Sequence, residues 1–153
     1  MRQILVPIAC LILVSCSGFA PAGPTEADTK AYVERAAAEP GAVKTDSGMI
    51  YRELRAGSGQ RPGASDVVKV NYRGMLVNGT EFDSSYKRNQ PTEFPLNQVI
   101  PCWTQGVQRM RVGGKSQLVC PSDIAYGPEG HPPTIPGGAT LVFEIELLDV
   151  TRQ

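Results

Sequence analysis

Few residues of this chain could do covalent chemistry. His131 is the only histidine, and it lies between Gly130 and Pro132-Pro133 in a turn-rich stretch with nothing at hand to orient it. A serine or cysteine nucleophile needs a positioned base, so nucleophilic and hydrolytic routes lack a part. Cys102 and Cys120 do not form a CxxC pair, and no histidine or third cysteine stands near them in sequence. That spacing argues against a metal site. There is no GxSxG, phosphate-cradling or dinucleotide pattern, so no cofactor is implied. Glu81, Asp83 and Glu93 are acids on neighbouring segments, but their spacing gives no reason for two of them to converge as an acid–base pair. What the chain does offer is Tyr72, Phe82, Trp103, Tyr126 and Phe143, with Val99, Ile100 and Ile135. One acid, Asp83, follows Phe82 directly. Such a set builds an apolar pocket rather than a nucleophilic centre.

The elements that would position this set are organised around residues 99–114. Read as a helix, this stretch puts Trp103, Val107 and Met110 on one face, at spacings of four and three. Pro101 suits a first helical turn, and Gly113-Gly114 suits the stop. Alternating, β-branched-rich segments flank it on both sides. The pattern predicts an α+β fold in which an antiparallel sheet closes over one short helix, with the lone tryptophan facing the sheet. Trp103 is then either core filler or the floor of a pocket, and periodicity alone leaves both open.

The chain has 153 residues, room for one domain and a tail. Acids and bases balance at 15 each, and no basic block stands out, which excludes a nucleic-acid surface. Met1-Arg2 followed by the apolar run 4–14 reads as a leader too short to span a bilayer. It ends in Leu13-Val14-Ser15-Cys16, which resembles a bacterial lipobox. The expectation is a cleaved leader over 1–15 and a lipid on Cys16, against an ordinary leader in which Cys16 is incidental. Residues 16–44 then form a tether with a short helix over 26–39, capped by Thr25 and stopped by Pro40-Gly41. With so little apolar surface it reads as a spacer or a weak packing arm.

The globular domain is expected over 45–153, with strands over 49–55, 68–73, 115–120 and 140–150, a hairpin at Asn78-Gly79 and a short extended segment over 93–96. Residues 121–138 form a loop long enough to be functional. Cys102 opens the helix, and Cys120 shares a strand face with Leu118. In an exported chain the pair reads as a disulfide closing a loop worth about 3 kcal/mol, with two buried free thiols as the alternative.

Five motifs then appear in order: Val70-Asn71-Tyr72-Arg73-Gly74-Met75-Leu76, Phe82-Asp83-Ser84-Ser85, Val99-Ile100-Pro101-Cys102-Trp103, Ala125-Tyr126-Gly127 and Ala139-Thr140-Leu141-Val142-Phe143. Over roughly residues 45–150 they resemble the FKBP-type peptidyl-prolyl cis–trans isomerases. The lipobox and short arm are similar to the macrophage infectivity potentiator group without its dimerisation region. The resemblance implies a five- or six-stranded antiparallel sheet wrapped around one short helix. It also implies roles. Trp103 forms the pocket floor, and Tyr72, Phe82, Phe143, Val99 and Ile100 its walls. The Ile100 N–H and the Tyr126 hydroxyl grip substrate carbonyls, and Asp83 lies near the rotating amide. Arg88 pairs with the acid, and Phe94 stands two residues beyond Thr92, where better-studied members carry an aromatic. His131 and Ile135 belong to an overhanging loop. Cys102 stands where glycine is common, which favours the disulfide.

An apolar pocket suits that reaction. Rotation about an X–Pro amide meets a barrier of about 20 kcal/mol, because resonance keeps the bond planar. The twisted form has lost that resonance and is less polar, so a dry cleft that prefers it speeds rotation without making or breaking a bond. The implied partners are proline-containing polypeptides and macrolides of the FK506 and rapamycin class. The implied place is the bacterial envelope, on a lipid anchor facing the periplasm, at the outer rather than the inner membrane, as a monomer. The competing reading is a non-catalytic chaperone or scaffold that binds proline-containing segments in the same cleft.

Overall fold

A computed structural model describes residues 23–153. The expected leader over 1–15 and the expected lipid-bearing Cys16 lie outside the described residues. The chain forms α1 (Glu26–Ala38), β1 (Ala42–Lys44), β2 (Ile50–Arg55), β3 (Val67–Leu76), β4 (Glu81–Ser84), β5 (Thr92–Pro95), α2 (Pro101–Val107), β6 (Lys115–Cys120) and β7 (Leu141–Thr151). The seven strands make one antiparallel sheet in the order β1-β2-β6-β7-β3-β4, with β5 also paired to β3. This is the expected α+β architecture. It has more strands than expected because two short segments join the sheet: β5, and β1, which lies upstream of the expected boundary at residue 45.

The alternation in β3 becomes burial. Val68, Val70, Tyr72, Gly74 and Leu76 point inward, and the residues between them are more exposed. The inward row joins Leu118, Phe143, Ile145 and Leu147 in a core that α2 closes with Trp103 and Val107. Gly106 lets the helix settle close to the sheet, since a Cβ there would stand 2.6 Å from Leu118 Cδ1. The helix ends at Val107, earlier than the periodicity predicts. Turns continue the same face, so Met110 is still 1% exposed. The expected stop at Gly113 belongs instead to the turn into β6, where its N–H donates to the Leu147 carbonyl at 2.8 Å.

The helix α1 opens with a capping box between Thr25 and Asp28. It lays Tyr32, Val33 and Ala36 on Ile50 and Val119, on the face of the sheet away from α2. It is therefore a packing arm. Ala36 is its only buried residue, which keeps that contact small.

The division of β3 between two partners positions the site. Its first half pairs with β5 through Val67–Val70, and its second half with β4 through Arg73–Met75. The chain between β4 and β5 must leave the sheet, and it carries Arg88 back to Asp83 and the Tyr72 hydroxyl beside the cleft.

Candidate functional site

Where the sheet curls around the start of α2, it leaves a cleft of about 470 Å³. Trp103 forms its base. The indole is 4% exposed, yet it lines the opening, so it is both core and floor. Three rings meet it edge-on: Tyr72 at 5.2 Å and 81°, Phe143 at 5.3 Å and 90°, and Phe94 at 5.4 Å and 88°. Phe82 meets Phe143 at 5.7 Å and 90°. Edge-to-face pairs of this kind fix ring orientation as well as burying area.

Val99 and Ile100 form the wall next to α2. Ile100 is the N-cap residue, and its carbonyl accepts from the Trp103 and Thr104 N–H groups at 3.0 and 3.2 Å. Its own N–H makes no backbone hydrogen bond among the described residues. Thr104 Oγ1 donates to the Leu96 carbonyl at 2.6 Å, which staples the turn over Leu96–Gln98 to the helix. Gln98, to which the sequence reading assigns no role, also lines the cleft. Its place immediately before Val99-Ile100 was the available signal.

The polar side is a three-residue cluster. The Tyr72 hydroxyl donates to Asp83 Oδ2. Arg88 Nη1 pairs with Asp83 Oδ1 at 2.5 Å, while Nη2 donates to the Tyr72 hydroxyl oxygen at 3.0 Å. The Arg88 guanidinium also lies 5.6 Å from the Tyr72 ring centre. Burial alone would raise the Asp83 carboxyl, but hydrogen bonds from Tyr72 and Arg88, with the Arg88 charge, hold it below the usual carboxylate range. Burial and then the Asp83 contact push the Tyr72 phenol up. Asp83 is thus an anion and Tyr72 a neutral donor at neutral pH. The fully buried Ser85 clamps the segment behind them: its Oγ accepts from the Tyr72 N–H at 2.8 Å. Ser85 ends the Phe82-Asp83-Ser84-Ser85 motif, but spacing within one segment does not reveal this bond across to β3.

Tyr126 closes the far side of the cleft, and burial and then the charge of Asp83 raise its phenol. His131 and Ile135 do not line the cleft. His131 is exposed and packs on the Tyr126 ring, while Ile135 is 3% exposed and belongs to the core. Arg88 lies outside the apolar cleft, in a neighbouring polar hollow of about 510 Å³ shared with Lys69, Thr92 and Glu93. That hollow has no aromatic base.

The Cys102 and Cys120 sulfurs are bonded at 2.00 Å, with Cα atoms 5.8 Å apart. The bridge ties the first turn of α2 to the end of β6. It therefore joins the segment that carries Ile100 and Trp103 to the one that leads into Tyr126. Among the described residues, no group of His, Cys, Asp and Glu is placed to hold a metal.

The model of the FKBP-type peptidyl-prolyl cis-trans isomerase family matches residues 58–148. The chain is 47% identical over 129 residues to the FKBP-type isomerase FkpA of Escherichia coli (strain K12), a match covering 84% of this chain and 47% of the relative. It is 40% identical over 125 residues to the isomerase Mip of Coxiella burnetii, covering 82% of this chain and 54% of Mip. The chain thus spans about half the length of the curated relatives it matches. The crystal structure of FkpA from Escherichia coli superposes with a TM-score of 0.79 at 48% identity, over 82% of this chain and 59% of that one. That of a peptidyl-prolyl isomerase from Pseudomonas syringae pv. tomato gives 0.76 at 41% identity, over 87% of this chain and all of that one (100%).

Proposed function

Because the chain belongs to the FKBP-type peptidyl-prolyl cis–trans isomerase family, we propose that its cleft accelerates rotation about X–Pro bonds in polypeptides. The observation that carries this reading is the Trp103 indole, walled by three aromatic edges and still open to the cleft. A proline ring settles on the indole. The Ile100 N–H and the Tyr126 hydroxyl donate to substrate carbonyls on either side. The amide twists in an environment with little water to favour its planar, more polar form. Asp83, held as an anion by Arg88 and Tyr72, lies near the rotating bond and biases the direction of the twisted carbonyl. No proton needs to be transferred. Each 1.4 kcal/mol gained by the twisted form is about tenfold in rate.

Substrates in this reading are proline-containing polypeptides, and FK506- and rapamycin-type macrolides compete for the same floor. The leader pattern and Leu13-Val14-Ser15-Cys16 support attachment through a lipid on Cys16, at the outer membrane of a bacterial envelope and facing the periplasm. Among the described residues no helix is long and apolar enough to cross a membrane. The small apolar surface of α1 supports a monomer. A protease-coupled assay on a proline tetrapeptide tests the proposal. A rate above the uncatalysed one, abolished by macrolide, is expected. Suppression of aggregation with no isomerase rate would leave a binding module instead.

A further inference from the structure

The two tyrosines of the cleft are held in different ways. The Tyr72 hydroxyl is committed to Asp83 and Arg88. Tyr126 is 40% exposed, and its hydroxyl makes no hydrogen bond among the described residues. A phenol that free gives up rotamer entropy whenever it is recruited to a ligand. Its neighbour supplies the restraint. The His131 ring lies against the Tyr126 ring in a tilted pair, with centroids 5.6 Å apart and planes 32° from parallel.

The backbone that carries His131 is itself pinned. The His131 backbone N–H donates to the Ile135 carbonyl at 2.9 Å, and the Ile135 N–H returns a bond to the His131 carbonyl at 3.0 Å. Thr134 Oγ1 donates to the same His131 carbonyl at 3.3 Å. Ile135 drives its side chain into the core, at 3% exposure. The base of the loop is closed by the Gly138 N–H on the Gly127 carbonyl at 2.9 Å and the Gly127 N–H on the Ser122 carbonyl at 2.8 Å. The line of support therefore runs from the core through Ile135 to His131, and from His131 to Tyr126. Neither His131 nor Ile135 lines the cleft, so whatever they contribute passes through Tyr126.

We propose that His131 is a positioning residue: its ring, carried on a backbone that Ile135 anchors, restricts the Tyr126 phenol to the rotamer that keeps its hydroxyl available in the cleft. This rests on the reading above, in which that hydroxyl donates to a substrate carbonyl. The role needs a flat ring at position 131, not an imidazole as such.

The experiment compares kcat/KM for wild type, Tyr126→Phe, His131→Ala, His131→Phe and the double variant Tyr126→Phe/His131→Ala on a proline tetrapeptide. His131→Ala should lose about two- to tenfold, the size expected for one aromatic stack. His131→Phe should recover most of that loss. In the Tyr126→Phe background, His131→Ala should cost nothing further. A His131→Ala enzyme equal to wild type, or a loss that persists undiminished without the Tyr126 hydroxyl, would overturn the proposal. Three-bond NMR couplings of Tyr126 give a readout independent of turnover. One χ1 rotamer is expected in wild type and averaging in His131→Ala; one rotamer in both overturns the proposal. A wild type without isomerase activity sinks the functional reading instead, and the couplings still decide the positioning.

Discussion

Tyr72 stands edge-on to Trp103, ring centroids 5.2 Å apart at 81°, while its hydroxyl is bonded to Asp83 and Arg88. One side chain is thus both a wall of the apolar floor and part of the charged rim. Packing beneath the cleft and electrostatics above it are coupled through that ring, and the variants below separate them.

Trp103→Ala removes the floor. Truncating a buried tryptophan costs about 3–5 kcal/mol of stability. Turnover of a proline tetrapeptide by the folded fraction should fall at least about tenfold. Trp103→Phe keeps a ring in place and should retain more of both. Wild-type turnover by folded Trp103→Ala would remove the indole from the mechanism.

Gly74 on β3 lies against two rings that line the cleft, and a Cβ there would meet Phe82 at 2.6 Å and Phe143 at 2.9 Å. Gly74→Ala should therefore spread the edge-to-face pair and narrow the opening. Overpacking of this kind costs about 1–3 kcal/mol. Macrolide affinity, read by titrating the fluorescence of the lone tryptophan, should weaken more than the stability loss explains. Unchanged affinity would mean that the two rings yield without closing the cleft.

The charged rim gives a pH signature with a definite sign. The Asp83 carboxyl sits below its unfolded value of about 3.9, so its contribution is complete above that value and lost as pH falls through the folded one. Urea unfolding of wild type and Asp83→Asn at a series of pH values should differ most above about pH 4, the unfolded value, and converge as pH falls through the lowered folded one. The pair is about half exposed, so the difference should shrink in high salt. Curves that stay parallel at every pH would show that the acid is not held by its partners.

Both cysteines are fully buried, and their bridge spans 18 residues of sequence. Reduction should lower stability by about 3 kcal/mol, read as a shift of the urea midpoint. Thiol labelling of unreduced protein taken from cells that express it should find neither cysteine. Two thiols that react once that sample is unfolded without reductant would show the pair to be unbridged in the cell.

The sequence by itself determined the scaffold. Alternation in β3 and β7, the three-four spacing of Trp103, Val107 and Met110, and the turn residues between segments are local patterns, so they can be read without coordinates. They led to an antiparallel sheet over a short helix, and the ordered motifs pointed to the family. Only the tertiary structure decided how the cleft is arranged. Whether Trp103 was filler or floor depended on rings brought from three other segments, Tyr72, Phe94 and Phe143. His131 and Ile135 turned toward Tyr126 and the core rather than the cleft, because reciprocal backbone bonds set their direction. Gln98 and Ser85 gained their places from a turn and a strand crossing. The bond from Tyr72 to Asp83 and the contact of Arg88 with both depend on where separate segments come together, and periodicity within one segment carries no information about that distance.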